Sequence, residues 1–341
     1  MKKLLSFFVV VCLTTSVFAQ QQIATLLHND SITVYYGVYA LQSAHAAAVN
    51  GDVITLSDGT FNSVNITKAV TIRGAGMWAD SIARTMPTIL QGDFTITVPQ
   101  DSTCWLTLEG IYHYQTVKYQ TVHNPQFLKC KFKDFNYNNS STSVMNDARF
   151  INCIIEQWTN TTHEGVWCAI GTEFVNSVIL GSTSDSPDRL VNCIAHIRHD
   201  YANNKTIINS IVYCDDNSNG YGNSYTSFNT IGINYNNWNN HSYTYFDLSV
   251  VNGNNLWNYT AFNQVFKNFN GTYSDAVNFE LKDDIASSRL GTDGTQVGIY
   301  GGRMPFNPSV RNPLIGRTTV NQTTTSDGKL EVDIQITSDS E

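Results

Sequence analysis

The chain has 341 residues, only 14% of them charged, with 28 acidic against 20 basic side chains. An acidic balance argues against nucleic acid and anionic membrane as partners. Sparse charge among abundant Asn, Thr, Ser and Tyr gives instead a surface of neutral hydrogen-bonding groups and aromatic rings, which suits sugars.

Residues 1–19 read as a signal peptide: Lys2-Lys3 form a basic start, Leu4 to Leu13 an apolar stretch, and Val17-Phe18-Ala19 a small-residue cleavage site. A lipoprotein reading through Cys12 ranks second, because Val11 before it is bulkier than such cleavage prefers. The mature chain would start at Gln20 with 18 basic against 28 acidic residues, a formal charge of −10. No later apolar run approaches the ~20 residues needed to span a bilayer. The expectation is a secreted or cell-surface monomer with no membrane span.

Next, Tyr39 to Val49 is an Ala-rich amphipathic helix pattern, and Gly51 to Phe61 and Asn65 to Gly76 read as short strands and turns. From 127 to 231 one phrase recurs: two apolar residues, usually Asn, a small Cys, Ser or Thr, then usually Ile or Val. It reads Phe150-Ile151-Asn152-Cys153-Ile154, Phe174-Val175-Asn176-Ser177-Val178, Leu190-Val191-Asn192-Cys193-Ile194 and Ile207-Ile208-Asn209-Ser210-Ile211. Phe127-Leu128-Lys129-Cys130-Lys131 precedes these and Phe228-Asn229-Thr230-Ile231 follows.

The small slot falls at 130, 153, 177, 193, 210 and 230, so a constant strand carries loops of varying length. A unit this short cannot bury its own apolar face and must stack on copies of itself. Ile, Val and Phe in short runs between Asn, Ser, Gly and Asp clusters mean strands and turns. A right-handed parallel β-helix explains both observations, with equivalent residues ~4.8 Å apart. Asn tolerates a left-handed backbone at a bend, and its amide can bond the same amide one rung away. Six cysteines remain after the signal: Cys104, Cys130, Cys153, Cys168, Cys193 and Cys214. A slot shared by Cys, Ser and Thr selects small size, which favours free buried thiols over disulfides at Cys130, Cys153 and Cys193.

Alternation about the slot puts Ile151, Cys153 and Ile155 inside, and likewise Val191, Cys193 and Ala195. The third residue after the slot then faces out: Lys133, Glu156, Leu180, His196 and Tyr213, with His113 added if Glu109-Gly110-Ile111 is a degenerate phrase. On that face Glu156 or His196 is a candidate acid or base, with Arg198 beside them and Lys133 and Tyr213 as candidate substrate contacts. A solvated face in which Lys133 pairs with Glu156 is the favoured alternative. Glu156, Glu164, Glu173 and Asp185 offer carboxyl pairs of the kind glycosidases need.

From Tyr221 to Phe269 the chain is dense in Tyr, Trp and Asn, and Tyr235, Trp238 and Trp257 are the chosen sugar-stacking candidates. Gly291 to Gly302 is a glycine-rich segment. Residues 318–327 read as a linker, and Leu330, Val332, Ile334 and Ile336 alternate with polar residues as in a half-buried strand.

The phrase, the Tyr39–Val49 helix with Gly51–Phe61, the Asn65–Gly76 stretch and Gly291–Gly302 together resemble the pectate-lyase-like right-handed parallel β-helix proteins exported by Bacteroidetes bacteria. Ile285-Ala286-Ser287-Ser288 stands where that group often carries Ser-Pro-Ala. The resemblance implies an N-terminal capping helix, a β-helix domain over 20–313, Gly291–Gly302 as the closing coil, and a linker with C-terminal strand over 314–341. These motifs belong to the scaffold and imply no substrate. Polysaccharide lyases on it typically use carboxylate-bound Ca²⁺ and a Lys or Arg base, and by that resemblance Asp200, Asp215 and Asp216 near Arg198 are candidate Ca²⁺ ligands, against their ordinary role as turn residues. The expected function is therefore polysaccharide binding through aromatic and Asn-rich loops, with a polysaccharide lyase or glycoside hydrolase, or a structural solenoid, as alternatives.

Overall fold

The computed structural model describes residues 22–80, 85–99, 103–137, 143–158, 162–163, 166–167, 169–181, 187–197, 205–214, 225–234, 256–310, 314–320 and 332–337. Strands dominate, in two long and largely parallel sheets. The first sheet begins with the antiparallel hairpin Ile23–His28 and Ser31–Tyr36. It continues through Val53–Leu56, Thr71–Arg73, Thr107–Glu109, Gln126–Leu128, Arg149–Ile151, Glu173–Val175, Arg189–Val191, Lys205–Ile208 and Tyr225–Phe228. The second runs through Gly59–Asn62, Thr88–Gln91, Ile111–His123, Lys131–Tyr137, Ile154–Trp158, Val178–Ile179, Ile194–His196, Ile211–Cys214, Thr230–Asn234 and Leu256–Tyr259. Each copy of the phrase thus gives one strand to each sheet, and the Asn lies between them.

The backbone explains that Asn. Asn152, Asn176, Asn192, Asn209 and Asn229 all have φ between 42° and 54°, and Lys129 takes the same conformation at 51°. Left-handed geometry costs Asn less than other side chains, so the chain turns from one sheet into the other there. Gly110, with φ of 65°, occupies the same place one level earlier.

The bend also corrects the assignment of the interior. Alternation does not pass through a left-handed residue, so the residue three before the slot points inward and the one two before it does not. Phe127, Phe150, Phe174, Leu190 and Ile207 are buried, whereas Ile151 and Val191 are only half-buried. The inward rings stack, Phe127 on Phe150 at 4.5 Å and Phe150 on Phe174 at 4.3 Å between centroids. After the bend the expected pattern holds, with Ile155, Ala195 and Val212 fully buried.

The slot selects more than size. Cys130, Cys153 and Cys193 are free, buried thiols. Each slot side chain donates to the carbonyl two residues before it, from Cys153 Sγ to Ile151 at 3.4 Å and from Ser177 Oγ to Val175 at 2.8 Å. It also accepts the N–H of the slot one level earlier: Cys153 N donates to Ser177 Oγ and Cys193 N to Ser210 Oγ, both at 3.0 Å. Cys, Ser and Thr share a small X–H group that can do both. Burial raises the Cys193 thiol to about 12, so it stays protonated and is an inert structural thiol.

The helix Ala40–Ala47 packs beside the first strands. Lys68 Nζ donates to its last carbonyls, those of His45, Ala46 and Ala48, at 2.7, 2.9 and 2.6 Å. A cation there answers both the orphan carbonyls and the helix dipole.

From Phe262 to Val310 the chain adds no strand to either long sheet. It lies as a strap over the outer face of the second sheet, packing Phe262, Phe266, Phe269, Phe279, Val297 and Ile299 on Ile154, Val178, Ile194, Ile211 and Ile231. The Asn column anchors it. Asn229 Nδ2 donates to Leu290 O at 2.9 Å, Asn209 Oδ1 accepts from Thr292 N at 2.9 Å, and Asn176 Nδ2 donates to Ile299 O and Gly301 O at 2.9 and 2.8 Å. Lys129 reaches the carbonyl of Ser309. As strap numbers rise, column numbers fall, so the strap runs back along the seam. Bonds to the strap thus replace the expected amide-to-amide ladder. Gly291–Gly302, expected as a closing coil, instead lies along this seam, and a Cβ on Gly302 would fall 2.1 Å from Asn192 Nδ2.

In the tail, Val332–Thr337 pairs antiparallel with Leu314–Val320. Thr318 to Val320, expected as linker, is therefore strand. No helix among the described residues is long and apolar enough to cross a membrane.

Candidate functional site

The strap decides which outward residues meet solvent. His196 and Tyr213 lie on the outer side of the second sheet as alternation requires, but they are only 6% and 2% exposed. Their rings stand 5.3 Å apart, and Phe262 of the strap meets Tyr213 edge-on at 5.1 Å. Tyr213 OH donates to Leu180 O at 2.9 Å. Neither a general acid or base at His196 nor a sugar contact at Tyr213 fits that burial, and both side chains act in packing. His113 departs further. Gly110 takes the place of Asn in its phrase, so the slot is Ile111 and His113 falls two after it, facing inward and fully buried. Register agrees, pairing His113 with Phe132 and Leu90.

Lys133 is exposed, but the partner of Glu156 is Lys131, at 3.3 Å. Lys131 is 2% exposed, and its ammonium also lies 2.6 Å from Asp275 of the strap and over the rings of Tyr112 and Tyr273 at 4.7 and 5.0 Å. The Lys131 hydrogen bond holds the Asp275 carboxyl below its ordinary range. Buried charges need such partners, and here they pin the strap rather than meet a ligand. Glu173, on the first sheet, is held by Arg149 at 2.9 Å and Arg189 at 2.8 Å, so it makes no pair with Glu156 on the second.

Of the aromatic candidates, Trp257 is half-buried beneath the Arg289 guanidinium, 5.2 Å from the ring. Tyr235, Trp238, Arg198, Asp200, Asp215, Asp216, Glu164 and Asp185 lie outside the described residues, as do residues 1–19, expected as a signal peptide. Among the described residues no cluster of three or more His, Cys, Asp or Glu could hold a metal ion.

Where the strap does not reach, the outer face of the second sheet carries a shallow groove of about 700 Å³. Its wall is an outward column at one end of the sheet. Asn62 pairs in register with Gln91, and Tyr114 follows on the next strand. Gln91 Nε2 donates to Asn62 Oδ1 at 3.0 Å, and Tyr114 OH donates to Gln91 Oε1 at 3.4 Å. Gln42, Asn65 and Asp93 complete the polar lining. Tyr114 is 36% exposed.

The floor is rigid. Ser63 Oγ lies 2.8 Å from Gln91 O and 2.7 Å from Asp93 O, and Gly92 N donates to Gln115 Oε1 at 2.7 Å. Beneath it His113 places Nδ1 and Nε2 each 3.0 Å from a carbonyl oxygen, of Gln115 and Gly92. Two acceptors favour the imidazolium, yet burial outweighs them and lowers the pKa. A neutral ring donates to one of the two.

Sequence reasoning missed this groove because it sought function in the later phrases. Counting from Gly110 as the Asn equivalent would have found it, since Tyr114 is then the third residue after the slot. No family model, curated protein or solved structure matches this chain.

Proposed function

We propose that this is an exported protein that binds neutral stretches of polysaccharide in the groove formed by Asn62, Gln91, Asp93 and Tyr114. In this reading the parallel sheets are faces of a right-handed, pectate-lyase-like β-helix, the Ala40–Ala47 helix covers its first turn, and the 314–337 hairpin is a tail. The observation that carries the function is the amide column ending in a half-exposed ring. Side-chain amides match sugar hydroxyls as both donors and acceptors, and a tyrosine ring covers the apolar face of a pyranose. Among the described residues Asp93 is the only ionisable carboxyl in the lining, and no described lysine or arginine lines it to recruit an acidic chain.

The aromatic loops around Tyr235 and Trp238 extend the reading as further stacking surfaces. Polysaccharide lyase or glycoside hydrolase activity is the second reading. Its described candidates carry it less far, because His196 is buried and Glu156 is engaged by Lys131.

A glycan array with the mature chain tests the proposal, run beside an ultraviolet assay for unsaturated uronide products. Binding to neutral polysaccharides that falls about tenfold in Tyr114→Ala and in Gln91→Ala is expected, the loss of one good contact. Binding untouched by both variants would remove the groove from the function. Turnover of an acidic polysaccharide would replace binding with catalysis.

A further inference from the structure

The two sheets begin differently. The first strand of the second sheet, Gly59–Asn62, is met by the chain before it: Asn62 N donates to Val38 O at 2.8 Å, and Gln42 Nε2 of the helix to Ser63 O at 2.9 Å. The first sheet begins instead at Ser31–Tyr36, which pairs with Ile23–His28 on one side and, among the described residues, with no strand on the other.

The register shows which backbone groups that leaves. Gly37 N donates to Gln22 O at 2.8 Å, so by alternation Ser31, Thr33 and Tyr35 turn their N–H and C=O toward Ile23–His28. Those of Ile32, Val34 and Tyr36 turn outward along the edge. A row of outward backbone donors and acceptors at every second residue is complementary to another extended strand. The side chains agree. Ile32, Val34 and Tyr36 share the outer face with Leu27, and the four are 69, 40, 59 and 41% exposed, whereas Ala24 and Leu26 on the opposite face are buried. The usual guards of an edge are missing, since residues 31–39 contain no proline and no charge and the strand pairs without a bulge.

The same features name the occupant. An uncharged strand can pair antiparallel with its own copy about a two-fold axis without like charges meeting. Only residues that bond outward can then come opposite one another, and Val34 on the axis satisfies this. Val34 faces Val34, and Ile32 faces Tyr36 of the other copy. Each such pair exchanges two backbone hydrogen bonds and sets apolar side chains together on the outer face. The nearest charge in the chain, Asp30, falls opposite Val38.

We infer that Ser31–Tyr36 is a dimerisation edge, through which two copies join antiparallel with Val34 on the two-fold axis and the first sheet continues across both. This replaces the expected monomer with a weak dimer, because so short an edge makes an interface at the low end of size. It does not depend on the groove or its ligand.

Sedimentation equilibrium of the mature chain tests it. A monomer–dimer equilibrium with a dissociation constant on the order of 10–100 μM is expected. Val34→Lys puts two ammoniums opposite each other in the dimer but a single exposed charge on the monomer. It should weaken association about fivefold while leaving thermal unfolding of the dilute protein unchanged, and Val34→Glu should do the same. An equimolar mixture of the two variants should recover the dimer, because opposite charges then meet. Hydrogen exchange at Ile32, Val34 and Tyr36 should slow as concentration rises, whereas Thr33 and Tyr35, already bonded, should not change. A chain that stays monomeric to ~1 mM overturns the inference. So does a dimer indifferent to both variants, which would use another surface. A mixture that fails to associate, or growth into larger assemblies, overturns the two-fold pairing in favour of a different strand on this edge.

Discussion

The outer face of the second sheet differs at its two ends. At one end it presents Asn62, Gln91 and Tyr114 to solvent, bonded to one another and standing over a shallow groove. At the other it presents Ile154, Val178, Ile194 and Ile211, all fully or almost fully buried under the strap. The backbone hydrogen bonding is the same in both places, so strand geometry does not set exposure. A later segment of chain does. Lys131 sits on the strand between the two ends, and its charge is held by one carboxylate from the neighbouring strand, Glu156, and one from the strap, Asp275.

The sharpest way to break that comparison is to put one charge on each end. Ile194→Lys should cost ~3–5 kcal/mol, because it leaves an ammonium buried without a partner. Gln91→Lys should cost only about 1 kcal/mol, the loss of the hydrogen bonds to Asn62 and Tyr114 at a half-buried site whose outer side is open to solvent. Denaturant unfolding of both measures the gap, and equal losses would show that the strap does not seal its face.

The anchoring column gives a smaller effect. Asn176→Ala removes two hydrogen bonds to strap carbonyls and puts Ala at a φ of 45°, with an expected cost of ~2–4 kcal/mol. Asn176→Gly should recover ~1 kcal/mol of that, since glycine adopts the conformation freely. If the two variants unfold alike, backbone strain plays no part at the bend.

Acid should separate the ends as well. His45 is buried beside Lys68, and desolvation first, then that charge, lower its pKa from 6.5 to about 4. Above about pH 6.5 the folded and unfolded forms are both neutral there. As pH falls toward 4 the unfolded chain binds the proton and the folded one resists it. Stability is therefore lost across that window, by about 3 kcal/mol in full. His113 under the groove is lowered in the same direction. Hydrogen exchange near pH 4.5 should quicken around residues 40–115 before it does under the strap, and His45→Gln should flatten the dependence. The weakest effect belongs to the first sheet's outer face, where Glu173→Gln should cost under ~1 kcal/mol despite its two arginines, which are about half exposed. Thermal unfolding with and without added salt reads that difference.

Much of the scaffold was legible because its signals are local. An Asn before a small X–H residue marks a left-handed bend wherever it occurs, so the phrases located the strands and the free thiols. The misplacements came from one assumption, that alternation runs unbroken through the bend. It put Ile151 and Val191 inside where Phe150 and Leu190 stand, and an off-by-one reading of Glu109-Gly110-Ile111 put His113 outside. Gly110 alone carried the evidence for the right register, since only its positive φ likens it to Asn.

The sequence by itself determined the repeating strand pair, the conformation of the Asn column and the inertness of the slot thiols, because each depends on residues adjacent in the chain or one level away. Which outward residues stay wet was decided only by the tertiary structure. Residues 262–310 return along the seam to bury His196 and Tyr213 while leaving Tyr114 open, and that return depends on contacts as distant as Asn176 with Gly301 and Lys131 with Asp275. No local pattern encodes a contact more than a hundred residues away, and on this fold those contacts separate structure from candidate site.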